Sequence, residues 1–337
     1  MKSLISLIFI GALIGLGAMV NRGLPTPTAT QSPATDQPSV SVTSPATVTQ
    51  DWAPGGQLFF LTENGSALEI HSLDVTNGKE RMIFSDKGKT NGIKLVSRVA
   101  RSGDSIIAVI GPGSDNRGHL VAIKTDGSGK LTTLVDDFDV TAAPAISPDQ
   151  TKLAFSRFIN TDSVFGFTLN IAGVDGKDEQ TLVTNPDGVS SPSFSPDGKQ
   201  LGFIRGASTK GTELATYDIA SKTNGTLYKK DQTIIQDLDW GSVGLVAFTA
   251  APLKRATVGE FDPYLLDPKT NELIKLVDTK LVERSVTVAP DASAVAFLQV
   301  PSEKYTPNEP GTIVVSSIDG KQQTQFKQAI ELLGWVK

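Results

Sequence analysis

The sequence contains no cysteine. That excludes disulfides, thiolate metal centres and a lipid-modified cysteine behind a signal segment, so stability has to come from packing. Histidine is nearly as scarce. His71 and His119 are far apart and each falls in or beside an expected strand, so a histidine-rich metal centre is not available and both read as partly buried strand residues. Basic charge is not in surplus either: 31 Lys and Arg face 36 Asp and Glu, a net charge of −5. Nucleic-acid binding needs a concentrated basic face to displace phosphate counterions, so nucleic acid is not an expected partner. No Gly-x-Ser-x-Gly pentapeptide occurs, which removes the nucleophile elbow of a serine hydrolase. Gly88-Lys89-Thr90 has the ending of a phosphate loop, but the required first glycine would fall at Ile83, so these residues read as a solvated turn. No cofactor is expected.

What is present begins with an uncharged run from Ser3 to Val20, bounded by Lys2 and Arg22. As a helix it would span roughly 27 Å, close to the hydrocarbon thickness of a bilayer. Residues 1–22 are therefore expected to form a hydrophobic membrane-targeting helix. An uncleaved anchor is favoured by the length of the run, while Gly15 and Gly17 offer small residues for a signal peptidase. Residues 23–52 follow as a linker. Between Pro25 and Gln50 proline, threonine and serine dominate and Asp36 is the single charge, a composition that cannot bury enough apolar surface to offset chain entropy. If polyproline-like, it reaches up to about 80 Å.

From Gln57 onward a β pattern repeats. An apolar triplet ends at Phe60, Val109, Phe155, Phe203, Phe248 and Phe297, at intervals of 49, 46, 48, 45 and 49 residues. Ahead of several triplets stands a turn: Ser147-Pro148-Asp149-Gln150, Ser195-Pro196-Asp197-Gly198 and Ala289-Pro290-Asp291-Ala292, with weaker forms at Ser102-Gly103-Asp104 and Gly241-Ser242. Proline presets the first turn dihedral, aspartate bonds to nearby backbone, and glycine accepts the left-handed position that closes a hairpin. A second, independent series is Asn77-Gly78, Asp126-Gly127, Asp175-Gly176, Asn224-Gly225, Thr270-Asn271 and Asp319-Gly320, again 46 to 49 residues apart. These pairs mark two-residue hairpins in which both central residues take positive φ.

Two hairpins per repeat make a four-stranded sheet, which cannot cover both of its apolar faces alone. Six copies stacked about an axis can. The sequence is therefore read as all-β, a six-bladed propeller with four-stranded antiparallel blades over residues 53–337. The last residues complete it. Trp335 occupies the repeat position of Ile146, Phe194, Trp240 and Val288, and the first copy lacks the strand that carries this position. The C-terminal strand is accordingly expected to be the innermost strand of the first blade, closing the ring.

Ser195-Pro196-Asp197-Gly198-Lys199 leading to the triplet at Phe203, together with hairpins at pairs such as Asp175-Gly176, resembles the TolB-like propeller repeat. The resemblance covers the whole folded part and departs from the pattern in the second and fifth copies. It implies an adaptor role in the cell envelope, in a family that also includes propeller domains attached to serine peptidases.

For a binding site, the expected address is the face opposite the short turns, where longer connections fall at residues 111–118, 157–167, 205–212, 250–262 and 299–312. They carry Arg117, Arg157, Phe165, Arg205, Lys254, Arg255, Glu303, Lys304 and Tyr305, a mixture of cations and aromatics suited to protein interfaces and anionic ligands. Arg157 and Arg205 hold equivalent repeat positions. Asp136, Asp137 and Asp139 offer oxygen ligands suited to calcium, against the alternative of a hydrated charged loop. The functional expectation is a non-enzymatic recognition module outside the cytoplasm, in a periplasm or at a cell surface, that binds an envelope protein, peptide or polymer. A hydrolase or lyase with its acid and base in the central channel, and a structural stalk, are the alternatives.

Overall fold

The computed structural model describes residues 52, 54–87, 92–100, 103–111, 117–161, 165–207, 209–256, 259–279, 281–301 and 309–337. The expected N-terminal helix and nearly all of the linker lie outside them. So do Glu303, Lys304, Tyr305 and the Gly88-Lys89-Thr90 turn.

Alternating apolar runs of six to nine residues form most of the strands, and turn residues punctuate them. Blade 1 holds β1 (Gln57–Asn64), β2 (Ala67–Asp74) and β3 (Glu80–Ser85). Blade 2 holds β4 (Gly92–Val99), β5 (Ser105–Gly111), β6 (Arg117–Lys124) and β7 (Leu131–Asp139). Blade 3 holds β8 (Ala145–Ile146), β9 (Lys152–Asn160), β10 (Phe165–Gly173) and β11 (Gln180–Asn185), and blade 4 holds β12 (Val189–Phe194), β13 (Gln200–Ala207), β14 (Gly211–Asp218) and β15 (Thr223–Lys229). In blade 5, β16 (Thr233–Trp240) and β17 (Val246–Pro252) lead through a short helix α1 (Leu253–Ala256) to β18 (Asp262–Asp267) and β19 (Glu272–Lys275). Blade 6 holds β20 (Val282–Val288), β21 (Ala294–Val300), β22 (Gly311–Ser317) and β23 (Gln323–Ala329), and β24 (Glu331–Val336) follows.

Every blade is a four-stranded antiparallel sheet, and β24 is the innermost strand of blade 1, in the order β24-β1-β2-β3. Trp335 sits opposite Leu58 as Trp240 sits opposite Val246 and Val288 opposite Val295. Ring closure by the last strand is thus found in the expected register. The Trp335 indole also donates to the Gly55 carbonyl at 3.0 Å. The chain therefore enters blade 1 at the end where the short turns gather.

Six apolar clusters fill the six seams between neighbouring blades. The repeat-marking residues Phe60, Val109, Phe155, Phe203, Phe248 and Phe297 are all fully buried in the fold. Each such phenylalanine contributes roughly 1.5–3 kcal/mol relative to exposure, and because each seam needs both flanking blades, an open arrangement would leave one apolar flank wet.

The turns ahead of the triplets are as expected, and the second series of turns departs from expectation in two ways. In Ser195-Pro196-Asp197-Gly198 the Gly198 amide donates to the Ser195 carbonyl, and only the fourth residue is left-handed, with φ 70°. Gln150 and Ala292 hold the same place at φ 59° and 62°. In the second series, where both central residues were expected at positive φ, the Asp175-Gly176 pair has it at glycine alone. These are type I turns followed by a left-handed residue, and aspartate stays right-handed because its carboxylate caps an amide two residues on, as Asp197 does for Lys199 at 3.1 Å. Secondly, Asn224-Gly225 is not a turn. It lies inside β15, and the chain reverses earlier, where Asp218 accepts from the Ser221 amide at 2.8 Å and Lys222 takes φ 58°.

Candidate functional site

The six innermost strands β24, β4, β8, β12, β16 and β20 line a central channel, and a cavity of about 260 Å³ runs from its middle to the short-turn end, past Gly241, Ser242 and Pro290. Its shape follows from irregularities in these strands. Bulges interrupt β4 between Val96 and Val99, β12 between Ser190 and Ser193, β16 between Gln236 and Leu238, and β20 between Arg284 and Thr287. Ser191, Asp237 and Ser285, each three residues before the aligned Phe194, Trp240 and Val288, have φ of 51°, 48° and 59°. A bulge re-aims side chains, and here it turns polar ones into the channel.

Those polar side chains tie β12 to β16, β16 to β20 and β20 to β24. Ser193 Oγ accepts from the Trp240 amide at 3.0 Å. Asp239 Oδ2 accepts from the Val288 amide and the Thr287 hydroxyl, both at 2.9 Å. Asp237 Oδ2 accepts from the Ser285 amide at 2.9 Å, and Ser285 Oγ from the Leu332 amide at 3.1 Å. Neighbouring inner strands splay too far apart for a main-chain ladder, so side chains satisfy amides that would otherwise be stranded.

Across this ring reaches Arg98, on the bulge of β4. Its Nε lies 3.7 Å from Asp239 Oδ1, and its Nη1 is buried and meets no hydrogen-bond partner among the described residues. Glu331, at the start of β24, lines the same cavity. Burial pushes its carboxyl up to about 7, with the Asp237 charge adding to the rise while Arg98 and Arg284 oppose it.

A second buried acid lies between blades 5 and 6. Glu283 is fully enclosed and is raised to about 7 by burial. Its Oε1 accepts from the Thr279 hydroxyl at 2.5 Å and the Gln299 amide at 3.1 Å, which favour the ion without overcoming desolvation. Nearby Asp262 receives Arg255 at 2.8 Å and Lys275 at 3.0 Å.

The residues expected from sequence are placed differently. Arg157 and Arg205 do occupy equivalent positions, two residues past Phe155 and Phe203, but in strands rather than loops. Arg157 bonds the Asp139 carbonyl at 2.8 Å and Glu179 at 2.6 Å, with its guanidinium 4.8 Å from the Phe155 ring centre. Arg205 is paired with Glu213. Arg255, on α1, is held by Glu260 and Asp262, and Lys254 beside it is exposed. Phe165 begins β10, is 56% exposed and meets Phe158 edge-on. Arg117 opens β6 opposite Asp139, its side chain lying outside the described ones.

Asp136, Asp137 and Asp139 belong to β7, not to a loop. His119 bonds Asp136 at 2.9 Å, and among the described residues no three acidic or histidine side chains converge on a metal-sized space. His71 is lodged between Glu69 at 3.0 Å and Glu80 at 2.5 Å.

Arg98, Asp237, Asp239, Ser285 and Glu331 were not singled out by sequence. The signal was there in the repeat alignment, one and three residues before the shared inner-strand position, where Ser193, Asp239 and Thr287, and Ser191, Asp237 and Ser285, form two polar columns.

By sequence, no family model and no curated protein matches the chain. By structure it is similar to TolB from Acinetobacter baumannii, with a TM-score of 0.63 and 16% identity, over 84% of this chain and 67% of that one. A putative TolB from Agrobacterium tumefaciens matches with a TM-score of 0.63 and 14% identity, over 80% and 92%. Oligogalacturonate lyase from Vibrio parahaemolyticus matches with a TM-score of 0.51 and 10% identity, over 81% and 75%. At such identities the likeness is one of fold, and the fold is the TolB-like six-bladed propeller.

Proposed function

We propose that this propeller is a non-enzymatic recognition module held outside the cytoplasm by a membrane anchor, and that it takes a segment of an envelope protein or peptide into the short-turn mouth of its channel. The observation that carries the reading is the cavity itself. Apolar walls from Trp240, Val288, Leu333 and Trp335 surround a few polar groups, the usual make-up of a binding site. The uncharged run 3–20 supports the anchor, and the linker supports its reach. Among the described residues no helix is long and apolar enough to cross a membrane, and the run lies outside them. Because the chain enters at the short-turn end, a tether would attach on the same side as the mouth, with Arg157, Arg205 and Lys254 on the opposite side as a second, weaker candidate surface.

One observation favours an enzyme. Glu331 with a carboxyl near 7 beside Asp237 has the look of an acid and a base. Against it, Asp237 and Asp239 each commit an oxygen to a main-chain amide of β20, which is the work of a structural staple.

The test places a photo-crosslinking residue at Ser242, by the mouth, or at Lys254, on the opposite face, in the full-length chain expressed in its native envelope. Membrane fractionation and adducts are then read. Carbonate-resistant membrane association with adducts from Ser242 is expected. A cytosolic chain, or adducts from Lys254 alone, would reject the tether or the mouth respectively.

A further inference from the structure

We infer that Arg98 is the anchor of a carboxylate subsite at the inner end of the channel cavity, so that the segment taken up there leads with an acidic side chain or with its own C-terminal carboxylate. The inference rests on the reading of the mouth as a peptide site and specifies what that site recognises.

Three observations carry it. Arg98 lines the cavity, yet its guanidinium is under-used: the 3.7 Å separation of Nε from Asp239 exceeds hydrogen-bond distance, and Nη1 is buried with no partner among the described residues. Asp239 is not free to improve the contact, because Oδ2 already holds the Val288 amide and the Thr287 hydroxyl. A buried donor without an acceptor is costly, and the planar fork of arginine fits a carboxylate with two parallel bonds.

The surroundings admit a negative group despite the acids nearby. Facing Glu331 are Asp237 from β16, Arg98 from β4 and Arg284 from β20. Asp237 and Asp239 each have an oxygen occupied by main-chain amides, so part of their charge is already compensated. With its carboxyl near 7, Glu331 is largely protonated in mildly acidic solution and can donate its O–H to an incoming carboxylate. A lysine side chain would instead seek Asp237 and Glu331 and leave Arg98 unpaired, and an apolar tip would leave all of them unpaired. The cavity, at about 260 Å³, suits the tip of a segment rather than a folded partner.

The test titrates the full-length chain in detergent with glycine-serine hexapeptides, read by calorimetry and by the fluorescence of Trp240 and Trp335 in the cavity wall. One peptide ends in Asp-Glu with a free terminus, one has the same sequence amidated, one replaces the acids with Asn-Gln and keeps the free terminus, and one is both amidated and Asn-Gln. Loss of affinity on amidation assigns the chain end, and loss on the Asn-Gln change assigns the side chain. The preferred acid should bind about tenfold tighter than the peptide lacking both kinds of carboxylate. Arg98→Gln should abolish that preference while leaving the weaker binding of the neutral peptide. Glu331→Gln should keep it and remove its decline above pH 7. Where Arg98→Gln does not fold, Arg98→Lys keeps the charge, loses the fork and should lower the preference several-fold. Equal affinity for acidic and neutral peptides, or an undiminished preference in Arg98→Gln, overturns the carboxylate subsite and leaves the peptide reading standing. Failure of every peptide to bind overturns both, and tighter binding of oligogalacturonate than of any acidic peptide overturns the peptide as the source.

Discussion

Arg98 of blade 2 reaches Asp239 of blade 5, its Nε 3.7 Å from the carboxylate, so one side chain spans the ring between opposite blades. The contact is a loose one, and Asp239 has a firmer task in holding β20. Replacing Asp239 with alanine should strand the Val288 amide and the Thr287 hydroxyl, both buried. A loss of about 2–3 kcal/mol is expected in denaturant unfolding of the full chain, and Asp239→Asn, which keeps one acceptor, should lose less. Equal stability of the alanine variant would show that the staple contributes nothing.

Closing the ring by β24 makes a sharper prediction. Deleting residues 330–337 removes the Trp335 bond to Gly55, the Ile330 amide bond to Leu61 and the inner edge of blade 1. Calorimetry should find no cooperative transition, and an unaltered melting curve would contradict closure by this strand.

The buried acids set an alkaline limit. Glu283 and Glu331 are both raised to about 7 from an ordinary 4.5, so between those values the folded protein holds protons that the unfolded chain has released. Their stabilisation is full below about pH 4.5 and is lost as the pH rises through 7, amounting to up to roughly 3 kcal/mol for Glu283 and less for Glu331, which borders the open cavity. Asp149, Asp197 and Asp319 are depressed by their turn hydroxyls, Asp319 to about 2, and they act in the opposite sense, losing stabilisation as the pH falls through their range. Thermal midpoints should therefore be higher near pH 5 than at pH 8, and Glu283→Gln should flatten that slope.

At Ala292, a left-handed φ of 62° stands where the fourth blade has Gly198. Ala292→Gly should relieve the strain and stabilise by about 0.5–1 kcal/mol, after the greater freedom of glycine in the unfolded chain is subtracted. A lower midpoint in chemical denaturation would argue against the type I reading of these turns.

Arg157→Ala should destabilise by about 1–2 kcal/mol through loss of the Glu179 pair and the stacking on Phe155. Any loss of partner capture in that variant is therefore interpretable only beside its melting curve. If stability is unchanged and capture falls, the surface bearing Arg157 is a contact surface after all.

The architecture was legible because it depends on short-range regularities: a triplet ending in phenylalanine and a turn before it recur whatever happens elsewhere. The innermost strands were less so. Their geometry depends on bulges that place Asp237 and Ser285 in the channel, and a bulge leaves no residue type that a local reading, without alignment of the repeats, can single out. Arg157 and Arg205 looked like loop residues because β9 and β13 run several residues past their apolar triplets, and polar residues at a strand end are indistinguishable in sequence from those of a connection. Asn224-Gly225 misled for a related reason: a strong pair was outcompeted by the Asp218 cap, which reversed the chain first.

The pairing of β24 with β1 also orders events in time. Trp335 and Gly55 are 280 positions apart, so when a chain emerges from a ribosome or a translocon, five blades can be complete while the first still lacks its central strand. Until the last residues arrive, Leu58 and its neighbours remain an unmatched sticky margin, and quality-control factors have their longest opportunity to act in that interval.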